Sequence, residues 1–157
     1  MPTHPAPGTK APDFTLRRDG NASVSLRDYK GKKLVVYFYP KADTSGCTKE
    51  AIAFHALRAA FAKAGTAVIG VSADPVKALD AFKEKHGLGF PLASDESKKM
   101  LEAYGVWGKK SMYGRSYMGI LRTTFLIGPD GRIAQVWPNV KVPGHAEAVL
   151  AAAQQLG

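Results

Sequence analysis

Apolar and polar positions follow each other along this chain in a recognisable order. Residues 1 to 12 are rich in Pro and Gly and read as an irregular lead-in. Two short alternating segments follow, Asp13 to Leu16 and Ala22 to Leu26. The turn signal Arg18-Asp19-Gly20-Asn21 lies between them, so the pair predicts an N-terminal β-hairpin. LVVYFY, Leu34 to Tyr39, is nearly continuous in apolar character, the pattern of a central strand buried on both faces. Pro40 ends it, and the polar turn KADTSG leads into a helix from about Cys47 to Ala64. Phe54, Leu57 and Phe61 recur there at helical spacing, and Gly65 is the stop. AVIGVS, Ala67 to Ser72, is a second buried strand. Asp74 as N-cap and Pro75 at the first helical position start a helix that runs to about His86. A strand at Phe90 to Ala93, a helix from Glu96 to Tyr104 and a Gly-, Lys- and Tyr-rich loop from Gly105 to Gly119 come next. TTFLIG and RIAQVW flank Pro129-Asp130-Gly131 as a second hairpin, and Gly144 to Leu156 is an Ala-rich helix.

Strands that alternate with helices, then a hairpin and a last helix, specify an α/β fold with a central mixed sheet flanked by helices. The β-α-β opening followed by β-β-α is the thioredoxin-like plan, with the N-terminal hairpin as an extension. Length predicts one domain over residues 1–157, and 45 % hydrophobic residues exclude a disordered chain. No apolar run approaches the roughly 20 residues of a membrane span, and the N-terminus lacks a signal-peptide pattern. With one cysteine there is no disulfide framework, and a free thiol predicts a cytoplasmic protein. The net charge of +9 is spread over short Lys and Arg pairs, a pattern of solvated faces more than of a nucleic-acid stripe. The same positive field favours anions near the molecule.

The lone cysteine, Cys47, falls where the first core strand gives way to its helix. A cysteine reacts as its thiolate, and the free N–H groups of a helix start favour an anion. Thr44, three residues earlier, places a hydroxyl within reach of the sulfur, with Thr44 or Ser45 near the N-cap. Pro40 closes one side of the pocket without adding a backbone donor, and Gly46 lets the backbone come close. His55, eight residues beyond Cys47, lies about 12 Å along a helix axis, too far for direct proton transfer. His4, His86 and His145 lack ligand spacing, so no metal or other cofactor is expected. Trp107, Tyr113 and Tyr117 suit either a substrate entrance or ordinary packing, and Glu50 suits the helix dipole.

Pro40, Thr44 and Cys47 form P-x-x-x-T-x-x-C, which resembles the active-site motif of the peroxiredoxins. The surrounding YFYPKADTSGCTKEA is similar to the bacterioferritin comigratory protein, or peroxiredoxin Q, branch. KAPDFTL, VIGVSADPV, HGLGFPLASDESKKMLEAYGVW and MYGRSYMGILRTTFLIGPDGRI extend the resemblance over essentially the whole chain. The resemblance implies reduction of hydrogen peroxide and alkyl hydroperoxides through a Cys47 sulfenic acid. It also implies that Arg122 holds the thiolate and polarises the peroxide, that Thr44 hydrogen-bonds it and that Pro40 shields the sulfur. Backbone N–H groups near Gly46 and Cys47 complete the implied substrate site, and the family motif also keeps an acid at the position of Glu50.

Three departures from the family pattern matter. Ser45 replaces a usual proline, which loosens the turn. Leu121 replaces a usual acid, which leaves Arg122 without an adjacent partner. Ile52 stands where many relatives keep a resolving cysteine, and Pro75 to Gly87 holds none. Regeneration then needs an external thiol, glutathione or a thioredoxin-like protein, or a transient intermolecular disulfide. The expected assembly is a monomer or weak dimer, away from membranes. Two other readings compete: a monothiol disulfide oxidoreductase on the same fold, and a basic module that binds nucleic acid or a protein.

Overall fold

The computed structural model describes residues 4–156, and a seven-stranded sheet forms its centre. β1 (Thr15–Arg18) and β2 (Ala22–Ser25) make the N-terminal hairpin. β3 (Lys33–Phe38) and β4 (Thr66–Ser72) run parallel at the middle, and β5 (Leu92–Ser94) adds beside β4. β8 (Thr123–Ile127) pairs antiparallel with β3, and β9 (Ile133–Trp137) closes that edge. The order is β2-β1-β5-β4-β3-β8-β9, so the sheet is mixed as its pattern predicts.

Every residue of β3 from Leu34 to Phe38 is buried, because both faces of the sheet carry a core. Leu34, Val36 and Phe38 point to one core with Phe125, Tyr104 and Val106. Val35, Tyr37 and Tyr39 point to the other, where Phe54, Leu79 and Cys47 pack. Tyr37 stacks on Phe54 with ring centroids 4.7 Å apart, which fixes the helix carrying Cys47 against the sheet. α1 (Ser45–Ala56), α2 (Arg58–Lys63), α3 (Val76–His86), α4 (Lys99–Ala103) and α5 (His145–Gln155) complete the fold. No helix among the described residues is long and apolar enough to cross a membrane.

Four local expectations differ from what the chain adopts. The helix expected from Cys47 to Ala64 is two helices, broken where Leu57 takes φ −98° and ψ 6°. The helix expected from Glu96 shrinks to α4, because Lys98 sits in the left-handed region with φ 67°. The segment expected as a Gly105–Gly119 loop is mostly a separate hairpin, β6 (Trp107–Met112) and β7 (Arg115–Ile120). Tyr113 and Gly114 both have positive φ, 53° and 78°, the two-residue turn that suits a hairpin's twist.

The fourth concerns Asp74, which does not cap α3; Pro75 holds that position. Its Oδ2 instead accepts from the Ala42 N–H and the Ser72 hydroxyl, each at 2.8 Å. The end of β4 is thus tied to the turn that precedes Cys47. Asp74→Ala leaves the Ala42 N–H without its acceptor and should cost about 1–3 kcal/mol. Urea unfolding and hydrogen exchange at Ala42 test this; unchanged protection at Ala42 would show that the turn does not depend on Asp74.

Candidate active site

Cys47 occupies the third residue of α1, one turn past the end of β3 and Pro40. Thr44 is the N-cap, and the first helical bond runs from the Thr48 N–H to the Thr44 carbonyl at 2.8 Å. The N–H groups of Ser45, Gly46 and Cys47 therefore precede the helical ladder and aim at the pocket end of the helix. The sulfur is enclosed, with Cys47 only 1 % exposed.

Arg122, 75 residues further along the chain, meets that sulfur. It lies between β7 and β8, held by its flanking backbone: Leu121 N–H donates to the Val106 carbonyl and Val140 N–H donates to the Arg122 carbonyl. Its Nη2 donates to Cys47 Sγ at 3.3 Å, and its Nη1 donates to Glu50 Oε1 at 2.7 Å. Cys47 and Glu50 are three apart on α1 and so share a helix face, which lets one guanidinium fork span both. Gly46 makes the approach possible: a Cβ there would stand 3.2 Å from Arg122 Nη2.

The pairing of Glu50 with Arg122 is what sequence reasoning missed. The absent acid at Leu121 leaves Arg122 unpartnered only along the sequence; the partner comes from α1, 72 residues away. Nor does Glu50 serve the helix dipole from an open first turn, since it is 1 % exposed and one oxygen, Oε2, is buried without a hydrogen-bond partner. Burial raises its pKa to about 7, against the opposing pull of the Arg122 charge. An acid three residues after the cysteine, with a distant arginine already in view, was the available signal.

The other expected residues fall as follows. Thr44 is exposed, and its hydroxyl donates to the Lys41 carbonyl at 2.8 Å, not toward the sulfur. Pro40 is half-buried at the end of β3. His55 accepts from the Gly89 N–H through Nδ1 at 2.9 Å, a structural contact. Tyr113 is 97 % exposed at the hairpin turn, whereas Trp107 packs on the core. His145, buried at the start of α5, bonds the Thr124 hydroxyl at 2.8 Å. Burial, then the Arg122 charge, lowers its pKa to about 4, so it stays neutral near pH 7.

Glu50 makes a test possible. Its folded value lies above the ordinary 4.5, so its contribution to stability is complete below that value and is lost as pH rises through about 7. Wild type should lose stability relative to Glu50→Gln between about pH 5 and about pH 8. Urea midpoints of both proteins at those pH values decide it; parallel pH curves would contradict the assignment.

The model of the AhpC/TSA family matches residues 7–136. Peroxiredoxin Bcp of Xanthomonas campestris is 48 % identical over 89 % of this chain and 88 % of its own. Peroxiredoxin Bcp of Escherichia coli is 43 % identical over 91 % of this chain and 92 % of its own. The solved structure of Xanthomonas campestris peroxiredoxin Q superposes with a TM-score of 0.86 at 47 % identity, covering 90 % of this chain and 89 % of that one. A mutant of Xylella fastidiosa PrxQ gives a TM-score of 0.91 at 41 % identity, covering 96 % of each chain. The expected thioredoxin-like fold and thiol peroxidase activity stand on these matches, and the chain belongs to the AhpC/TSA family as a peroxiredoxin of the Bcp/peroxiredoxin Q kind.

Proposed function

We propose that Cys47, Arg122 and Thr44 carry out peroxide reduction, with Glu50 positioning the arginine. The Arg122 contact with Cys47 Sγ at 3.3 Å is the observation that carries this assignment. The thiolate attacks one peroxide oxygen and the O–O bond breaks. The sulfur gains that oxygen as sulfenic acid, and the departing oxygen takes a proton and leaves as water or an alcohol. Negative charge moves from the sulfur to the departing oxygen during this step. A permanently charged planar fork already fixed by Glu50 stabilises that charge without having to reorganise.

The Thr44 hydroxyl spends its proton on the Lys41 carbonyl. Its lone pairs are then the part that faces a substrate, so it accepts the hydrogen bond from the peroxide O–H. Pro40 shields the sulfur from one side, and the N–H groups of Gly46 and Cys47 hold the peroxide from the helix end. Ile52, 46 % exposed, offers no second thiol, and the chain contains no other cysteine. An external thiol RSH therefore condenses with the sulfenic acid, giving a mixed disulfide and water. A second RSH releases RSSR and restores the Cys47 thiol. We place the enzyme in the cytoplasm on the strength of that free thiol.

Three substitutions test the roles in peroxide turnover with an external thiol. Cys47→Ser should abolish turnover. Arg122→Lys should lower the rate of Cys47 oxidation by roughly 10² to 10³, because a point charge cannot serve Glu50 and the sulfur at once. Thr44→Val should lower it by about tenfold while Thr44→Ser retains most of it. Full thiol-dependent turnover in Cys47→Ser would contradict the whole assignment; an unaffected Thr44→Val would remove only the threonine.

A further inference from the structure

The β6–β7 hairpin carries a second cation, Lys110, one that the chemistry above leaves unused. Alternate residues of a strand share a face. Gly108 and Lys110 of β6, with their cross-strand partners Gly119 and Tyr117, therefore form one face of the hairpin. Lys109 and Met118 form the other, where they line an apolar cavity together with Trp107 and Leu121. On the first face two glycines stand directly opposite each other and leave a lane without side chains. Lys110 lies along that lane. A Cβ at Gly119 would stand 3.0 Å from its Cδ, and its Nζ donates to the Ile120 carbonyl at 3.0 Å.

Ile120 is two residues from Arg122, so the bond to its carbonyl holds the ammonium at the strand end that leads to Arg122, where it feels the charges of both Arg122 and Cys47. Burial lowers the Lys110 pKa, the Arg122 charge adds to this, and the Cys47 charge works the other way. Two neighbouring cations repel, and the arrangement is relieved by an anion between or before them. Arg122 directs one N–H of each terminal nitrogen inward, to Glu50 and to Cys47. An ammonium has three N–H donors, and Ile120 is the one hydrogen-bond partner of Lys110 among the described residues.

We propose that Lys110 is a specificity-determining residue that receives a carboxylate of the small anionic thiol reducing oxidised Cys47. The proposal rests on the peroxidase reading and adds the class of reductant. With no thiol of its own to offer, the chain must seat RSH beside the sulfenic acid until Cys47–S–S–R forms and water leaves. Hydrogen peroxide is neutral and needs no such cation. A carboxylated thiol does, and Lys110 is a cation that holds neither the sulfur nor Glu50. The overall charge of +9 draws the anion in, and Lys110 fixes its orientation.

The test follows reduction of peroxide-oxidised Cys47 in the full chain by stopped flow. N-acetylcysteine serves as the anionic thiol and mercaptoethanol as the neutral one. Lys110→Gln should lower the anionic-to-neutral rate ratio about tenfold and flatten its dependence on salt. Lys110→Arg should restore most of the ratio. Gly119→Ala, which intrudes on the aliphatic chain of Lys110, should lower the ratio with the lysine still present. An unchanged ratio in Lys110→Gln, or an equal fall with both thiols, overturns the proposal. A parallel arm compares a carboxylated hydroperoxide with tert-butyl hydroperoxide; charge dependence there, and not with the thiols, assigns Lys110 to the peroxide step and overturns it too. A wild-type Cys47 inert to peroxide instead brings down the peroxidase reading, and this proposal with it.

Discussion

A carboxylate that is almost wholly buried must find a cation, and Glu50 finds Arg122. That requirement organises the site. The same guanidinium reaches Cys47 because the two α1 residues are one turn apart and Gly46 leaves room. Removing any member leaves a buried charge or a misplaced fork. The β3–α1 junction and the β7–β8 junction, far apart in the chain, are thereby locked at one relative position. The Tyr37–Phe54 stack holds α1 from below, and Asp74 holds the turn in front of it.

The charges around this pair are arranged to leave Arg122 effective. His145 is kept neutral by burial and by the arginine itself, so it adds no competing cation near pH 7. Burial raises the pKa of Glu50 to about 7, so near neutral pH it is only partly ionised, unlike an exposed glutamate. It positions the guanidinium while leaving charge for the sulfur and the departing oxygen. Water is excluded around the sulfur, which strengthens each of these interactions.

The central sheet was legible because β3 and β4 are buried on both faces and show it as apolar runs. Cys47 at a strand-to-helix junction was legible for the same reason, since Pro40 and the polar turn mark the boundary. The β6–β7 hairpin was not. Its residues from Lys109 to Met118 are mostly exposed on both faces, so Lys, Ser, Tyr and Gly follow one another without a buried stripe. Only the glycine at the turn, Gly114, signalled the pairing. The break at Leu57 was hidden because Leu57 keeps the helical spacing of Phe54 and Phe61. The Glu50–Arg122 pair is not readable locally at all: it is a tertiary contact, and the chain neighbour of Arg122 is the apolar Leu121. The Thr44 hydroxyl was placed near the sulfur by spacing, whereas a turn carbonyl, that of Lys41, takes its proton.

Ile52 gives the chain its dependence on the outside. Without a second thiol, each oxidised molecule waits for an external one, and no thiol elsewhere in the chain has to be carried to Cys47. The most direct measurement of this account is a single-turnover experiment with stoichiometric peroxide, read by intact mass and by thiol titration. The account predicts one added oxygen confined to Cys47, followed by complete return of the thiol when an external thiol is supplied. A Cys47 that stays reduced in the presence of peroxide would contradict it.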